Sequence, residues 1–191
     1  MQQDLLLKCY FSDNERYADL INGIGFGGKQ VVKASDLTEL DSQNGHYEKE
    51  IVREGSSVKK TKSRDLVRKT ALGVNFAVVG IENQEQVHYM MPLRVMTYDA
   101  GEYQRQAVQI KRKLRKKSGV TSAEYLSGFA KDSKLYPCVT FVLFYGEEWD
   151  GSHDLHGILD FTDIPPELKG LVSNYSINVI EIRKNDCHDE N

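Results

Sequence analysis

The sequence predicts an α/β domain in which a central mixed sheet is flanked by helices, and three segments carry this prediction. Residues 75–84 contain a nearly continuous apolar run, Phe76 to Ile81, which is typical of a strand covered on both faces. Residues 136–145 form a second apolar run, which ends at Gly146. Between the two, apolar residues recur every three or four positions over 92–117, which predicts one long helix. Helices that alternate with strands favour an α/β architecture over segregated layers.

The remaining elements are shorter. A first helix is predicted over residues 13–24, where apolar side chains follow the i, i+3, i+4 spacing. Ser12 and Glu15 match the S-x-x-E capping box at its start. The other predicted elements are strands over 64–70 and 175–182, a short helix over 122–130 and a short extended piece over 30–33.

Composition and length indicate one ordinary globular domain. The chain has 191 residues, of which 40% are hydrophobic and 28% charged. We predict a single domain over residues 1–185 and an acidic tail over 186–191. We identify neither a signal peptide nor a run of about 18 apolar residues. Three scattered cysteines fit a reducing compartment. We therefore expect a cytoplasmic protein without a membrane partner, and a homodimer is compatible with the sequence.

An acidic residue at the end of the clearest strand is the main functional signal. Glu82 follows the apolar run, and a lone carboxylate there is costly unless it is paired or binds a metal. Strand alternation predicts that Glu82 and Gln84 share one face. Asp65 starts the preceding strand, so a turn between the strands can bring it beside Glu82. Two carboxylates with a backbone carbonyl suit Mg²⁺. On position alone, ordinary ion pairing of either acid is an equal alternative.

These residues resemble the core of a known nuclease superfamily. Asp65, the segment Gly80 to Gln84 and the segment Met91 to Asp99 look like the PD-(D/E)xK nucleases. More closely, the chain resembles the Rpn-type recombination-promoting nucleases, also called YhgA-like transposases. The similarity covers residues 10–180 in outline. Further segments that carry it are Ser12 to Asn22, Tyr136 to Trp149 and Pro165 to Lys169.

The resemblance implies a restriction-endonuclease-like core and a Mg²⁺-dependent DNA endonuclease. Asp65 and Glu82 would be catalytic metal ligands, with the carbonyl of Asn83 as a third. Gln84 stands where the superfamily usually has lysine, and its amide would orient water or phosphate. The resemblance associates the enzyme with recombination or transposition, and we expect little sequence readout. The helical extension that usually ends family members is expected to be absent.

Basic side chains along the long helix are the predicted DNA contacts. A charge run at a helix C-terminus also complements the helix dipole and is usually solvated, so this alternative stays open. Other functions also stay open: a nuclease aimed at invading DNA, a non-catalytic DNA-binding or interaction protein that retains the fold, or a domain without a nucleic-acid role. The predicted DNA-binding residues are Arg94, Lys111, Arg112, Lys113, Arg115, Lys116 and Lys117.

Overall fold

The computed structural model describes residues 6–7, 9–39, 66–72 and 75–183, and for residues 39, 66–72 and 75–83 it describes the backbone. The acidic tail predicted at 186–191 lies outside these residues. In chain order the helices and strands are α1 (Asn14–Phe26), β1 (Leu37–Glu39), β2 (Leu66–Leu72), β3 (Asn75–Gln84), α2 (Met91–Leu114), α3 (Ser122–Ser127), β4 (Cys138–Phe144), α4 (Pro166–Lys169) and β5 (Asn178–Glu181).

Five strands form one mixed sheet in the order β1-β2-β3-β4-β5. The pairs β1–β2 and β2–β3 are antiparallel, whereas β3–β4 and β4–β5 are parallel. The connection from β3 to β4 contains the long helix α2. Parallel neighbouring strands need a crossover connection of this kind. β3 therefore lies inside the sheet, with a paired strand on each side.

Helices cover both faces of the sheet at β4, whose successive side chains alternate between two apolar clusters. Leu143 joins a cluster with α1, while Val142 and Phe144 join a cluster with α2. The buried members are, on the α1 face, Phe11, Tyr17, Ala18, Ile21, Val32, Leu37 and Leu143, and, on the α2 face, Met91, Val95, Val142, Phe144, Trp149 and Ile177. The predicted α/β class, a mixed sheet flanked by helices, is confirmed.

The start of α1 differs from the predicted capping box. Asp13 is the N-cap, and its Oδ1 accepts hydrogen bonds from the backbone N–H groups of Glu15 and Arg16, at 3.0 and 3.1 Å. The Ser12 hydroxyl instead donates to a carbonyl of the preceding turn. Asp and Ser are comparable caps, and Asp13 stands one residue closer to the first helical turn. The helix ends at Gly27, which takes the left-handed conformation (φ 58°) that favours glycine.

A buried asparagine fixes the segment that follows α1. The Oδ1 atom of Asn22 accepts from the backbone N–H groups of Val31 (3.0 Å) and Val32 (2.8 Å). Its Nδ2 donates to the Val32 carbonyl (2.8 Å) and to Oε1 of Gln30 (3.0 Å). These bonds occupy the N–H of Val31 and both backbone groups of Val32, in the middle of the segment predicted as extended at 30–33. The first strand consequently forms later, at residues 37–39.

Most of the fully buried residues of α2 lie outside the apolar stripe that predicts the helix, which consists of Leu93, Met96, Ala100, Tyr103, Ala107, Ile110 and Leu114. Of the stripe, Ala100 is exposed, and Tyr103 and Ala107 are half-buried. The buried face includes the polar residues Asp99 and Gln106, whose hydrogen bonds are satisfied. The full set of buried α2 residues is Met91, Pro92, Val95, Tyr98, Asp99, Gly101, Gln106 and Leu114.

Candidate functional site

Two of the predicted catalytic residues, Glu82 and Gln84, stand near the C-terminal end of the interior strand β3. Glu82 is in register with Val142 of β4, and Gln84 with Phe144. Both β4 residues are buried against the first turns of α2. Gln84 is half-buried, and its carbonyl accepts a hydrogen bond of 3.0 Å from the backbone N–H of Tyr145. This end of β3 therefore runs beside the start of α2.

The second predicted ligand, Asp65, lies outside the described residues. Leu66, which follows Asp65 in the chain, pairs with Ile81, which precedes Glu82. The described part of β2 thus stops one register position before Glu82. The convergence of Asp65 and Glu82, the shared face of Glu82 and Gln84, and the metal role of the Asn83 carbonyl all remain predictions.

Among the described side chains, no three His, Cys, Asp or Glu groups lie close enough to hold a metal ion. The carboxylates of Asp65 and Glu82 are not among those side chains. The chemistry of the predicted donor set nevertheless fits the predicted cation, because carboxylate and carbonyl oxygens are the ligands that Mg²⁺ takes in proteins. The pair Asp65 and Glu82 therefore remains the metal-site hypothesis.

Arg94 is anchored in the first turns of α2. Its Nε donates a hydrogen bond of 2.7 Å to the hydroxyl of Tyr98, one turn further along the helix. Tyr98 is buried, and Arg94 is half-buried. A buried tyrosine thus restricts the guanidinium at the end of α2 that lies next to the end of β3.

The predicted basic run lies on the last turns of α2 and the turn after it. Most of its side chains reach solvent, but Lys111 is half-buried. A Cβ atom built on Gly128 would lie 2.6 Å from Cδ of Lys111, so the aliphatic stem of Lys111 packs against the end of α3. The exposed members are Arg112, Lys113, Arg115, Lys116 and Lys117. Their contact with DNA remains a prediction.

A buried carboxylate that the sequence analysis did not single out lies on the same helix. Asp99 accepts hydrogen bonds from Thr140 Oγ1 (2.7 Å) and Cys138 Sγ (3.3 Å), and from the Tyr175 hydroxyl. Burial and the bond to Asp99 raise the pKa of Tyr175 well above its usual range. The network ties α2 to β4 and to the segment before β5. Three donors occupy the carboxylate, so we interpret Asp99 as a structural anchor rather than a base.

The sequence holds one signal from which the burial of Asp99 could have been predicted, which is its position in the helix. Asp99 follows Met91 and Val95 at intervals of one helical turn, and both are fully buried residues of the α2 cluster. Thr140, its partner on β4, is in register with Gly80, which stands two residues before Glu82 on β3. The anchor therefore positions α2 over the part of the sheet that leads to the predicted site.

Comparison with known proteins gives no match to any family model, any curated protein or any solved structure. The resemblance to the Rpn-type nucleases consequently rests on the residues of the chain alone. In the part of the chain that the structure describes, no helix has both the length and the apolar character needed to cross a membrane.

Proposed function

We propose that the protein is a Mg²⁺-dependent DNA endonuclease of the PD-(D/E)xK type, similar to the Rpn-type nucleases and acting in recombination or transposition. One observation carries this proposal. Glu82 stands near the end of an interior strand, β3, and the neighbouring strand β4 is covered by helices on both faces. A carboxylate that is buried in such a place is costly unless it is paired or binds a metal, and a cation shared with a second acid would satisfy it.

The backbone register supports pairing of the two acids. Leu66 and Ile81 are opposite one another in the antiparallel pair β2–β3. One further step of the same register would set Asp65 opposite Glu82. Opposed residues in antiparallel strands have Cβ atoms about 4.5–5.5 Å apart, a separation at which two carboxylates can bind one cation. The carbonyl of Asn83, next in the chain, would supply a third oxygen.

Other residues near this end of the sheet have separate roles in the proposal. The bound Mg²⁺ would supply an activated water and would stabilise charge on the phosphate. Gln84 carries an amide that donates and accepts hydrogen bonds but does not take up a proton, so it orients water or phosphate. Arg94, restricted by Tyr98, binds a phosphate oxygen beside the scissile bond. Contacts of this kind carry no sequence information, which agrees with little sequence readout.

Nicking of supercoiled plasmid with and without Mg²⁺ tests the proposal. We expect nicking that requires Mg²⁺ and that is lost in Glu82→Ala. Glu85→Ala is the matched control, because it removes the same charge from an exposed residue just beyond the strand. Nicking that is independent of divalent metal, or that is equal in Glu82→Ala and the unmutated protein, would contradict the proposal.

A second candidate is a DNA-binding protein that retains the nuclease fold without cleaving. The exposed basic run favours this candidate, because its side chains are presented to solvent independently of the strand that carries Glu82. Gln84 in place of lysine also fits it. Binding of DNA without cleavage under any divalent metal would make this second function the better account.

A further inference from the structure

The corner where α2 ends and α3 begins concentrates positive charge on an otherwise acidic chain. Between Lys111 and Lys134 the sequence holds eight lysines and arginines and two acids, a net charge of +6, whereas the whole chain carries −3. Six exposed cations define what we call the basic corner: Arg112, Lys113, Arg115, Lys116, Lys117 and Lys131.

One of the two acids serves to build this corner. The carboxylate of Glu124 accepts hydrogen bonds from the backbone N–H of Thr121 (3.0 Å), from the Thr121 hydroxyl (2.9 Å) and from the backbone N–H of Lys131 (3.1 Å). The bonds from the two backbone N–H groups are the main cause that holds the pKa of Glu124 below its usual value. Glu124 therefore fixes the start of α3 to the segment that carries Lys131.

The folded corner brings cations from two parts of the chain together. Lys117, after α2, and Lys131, after α3, both line one open hollow of about 480 Å³. Glu124 and Asp132 line it too, so its own charge is balanced. The positive excess of the corner comes from cations that do not line the hollow, on the last turn of α2 and the turn after it: Arg112, Lys113, Arg115 and Lys116.

Two large exposed side chains lie on α3, the helix whose start Glu124 fixes to the segment that carries Lys131. Tyr125 is 65% exposed and Leu126 is 80% exposed, and they are the next two residues after Glu124 in the chain. Single apolar residues on a surface are common. An aromatic ring next to a basic track is instead the combination with which proteins hold unpaired nucleic-acid strands, since phosphates meet the cations and bases stack on the ring.

We propose that the basic corner binds single-stranded DNA, with phosphates along the end of α2, an unpaired base stacked on Tyr125, and Leu126 packed beside that base. The inference rests on the proposed function and deepens it by naming DNA with an unpaired segment as the substrate class. Stacking tolerates every base, in agreement with little sequence readout.

Fluorescence anisotropy with two probes tests the inference. The probes are a single-stranded oligonucleotide and a hairpin duplex with the same number of phosphates, both measured with chelator so that nothing is cleaved. We expect Tyr125→Ala to weaken single-strand binding by about fivefold to a hundredfold, the range that loss of one stacked base implies. Duplex binding should change by less than about twofold, and Tyr125→Phe should bind both probes normally.

Two further variants separate stacking from charge. Tyr89→Ala removes another exposed tyrosine, outside the corner, and should leave binding unchanged. Removing Lys116 and Lys117 together should weaken binding of both probes. A plot of the logarithm of the binding constant against the logarithm of the salt concentration should also become shallower. Its slope should change by about one unit for each phosphate that is no longer neutralised. Circular dichroism of each variant checks that the fold is intact.

The inference is overturned if Tyr125→Ala binds both probes as the unmutated protein does, or if it weakens both equally. It is also overturned if vesicles of anionic phospholipid bind the corner and DNA does not. Because these measurements need neither metal nor cleavage, their failure is distinct from failure of the proposed function. If the protein nicks DNA in a Mg²⁺-dependent manner but Tyr125→Ala binds both probes normally, the proposed nuclease function is supported and the single-strand-binding surface is not.

Discussion

Replacing Glu82 with glutamine is expected to abolish Mg²⁺-dependent cleavage of DNA and to leave DNA binding intact. Cleavage requires the metal, and the metal requires negatively charged oxygen ligands. Substitution of a residue that only hydrogen-bonds to a metal ligand typically lowers activity by roughly 10–100-fold. Loss of the ligand itself should lower the nicking rate by more than that. Binding depends instead on basic side chains that meet phosphates, so it should keep its strength and its decrease with salt. Glutamine matches glutamate in size, and the fold should survive.

The test pairs two measurements on the same preparations. Plasmid nicking in Mg²⁺ reports cleavage, and a binding titration at two salt concentrations reports the interaction with phosphates. Glu85→Gln makes the same chemical change at an exposed residue just beyond β3 and should alter neither result. If Glu82→Gln nicks plasmid as fast as the unmutated protein, Glu82 is not the metal ligand.

Replacing Asn22 with alanine is expected to lower the free energy of unfolding by about 3 kcal/mol. The side chain is fully buried, and its loss would leave the backbone N–H groups of Val31 and Val32 and the carbonyl of Val32 without these bonds. A buried polar group left unpaired costs about 1–3 kcal/mol, and part of that cost is relieved if water enters. Unfolding in urea, extrapolated to water, measures the difference.

Asn14→Ala, on the same helix, is the matched control. Asn14 is half-buried, and its Nδ2 makes two long hydrogen bonds of 3.4 Å to the carbonyls of Ala34 and Leu37. We expect it to lower the unfolding free energy by less than about 1 kcal/mol, the ordinary net contribution of a weak hydrogen bond. Equal destabilisation by the two substitutions would show that the Asn22 bonds do not hold the loop after α1.

Elements with a strong apolar pattern are predictable from the sequence. The strand over 75–84 has the predicted bounds, and the strand over 138–144 lies inside its predicted range. Both contain uninterrupted apolar runs, which a buried strand requires. The helix that opens near Pro92 was also predicted, because proline favours the first helical turn. The α/β class follows from the order of these three elements.

Buried polar residues mark where the sequence argument fails. The spacing of apolar residues does not predict the burial of Asp99 and Gln106, because that burial depends on hydrogen-bond partners distant in the chain. Asp99 meets Thr140 on β4, and Gln106 binds the backbone of Tyr136. Asn22 likewise binds a loop that local propensity favours as extended. Tertiary hydrogen bonds of this kind have no local sequence signal.

For the candidate site, the sequence predicted where β3 ends. The position of Glu82 and Gln84 at the end of β3 follows from the apolar run before them. The parallel neighbour β4 and its register were not predictable, because the crossover through α2 separates the two strands by more than fifty residues. Asp65 lies outside the described residues, and its pairing with Glu82 stays a prediction from both sequence and register.

A crystal structure of the protein with Mg²⁺, or with Ca²⁺ to suppress cleavage, tests the central claim most directly. We predict that oxygens of Asp65 and Glu82 bind the same cation, at about 2.0–2.1 Å for Mg²⁺ or 2.3–2.6 Å for Ca²⁺. Gln84 should lie on the same side of the sheet. An Asp65 carboxylate on the opposite face of the sheet from Glu82 would contradict the account.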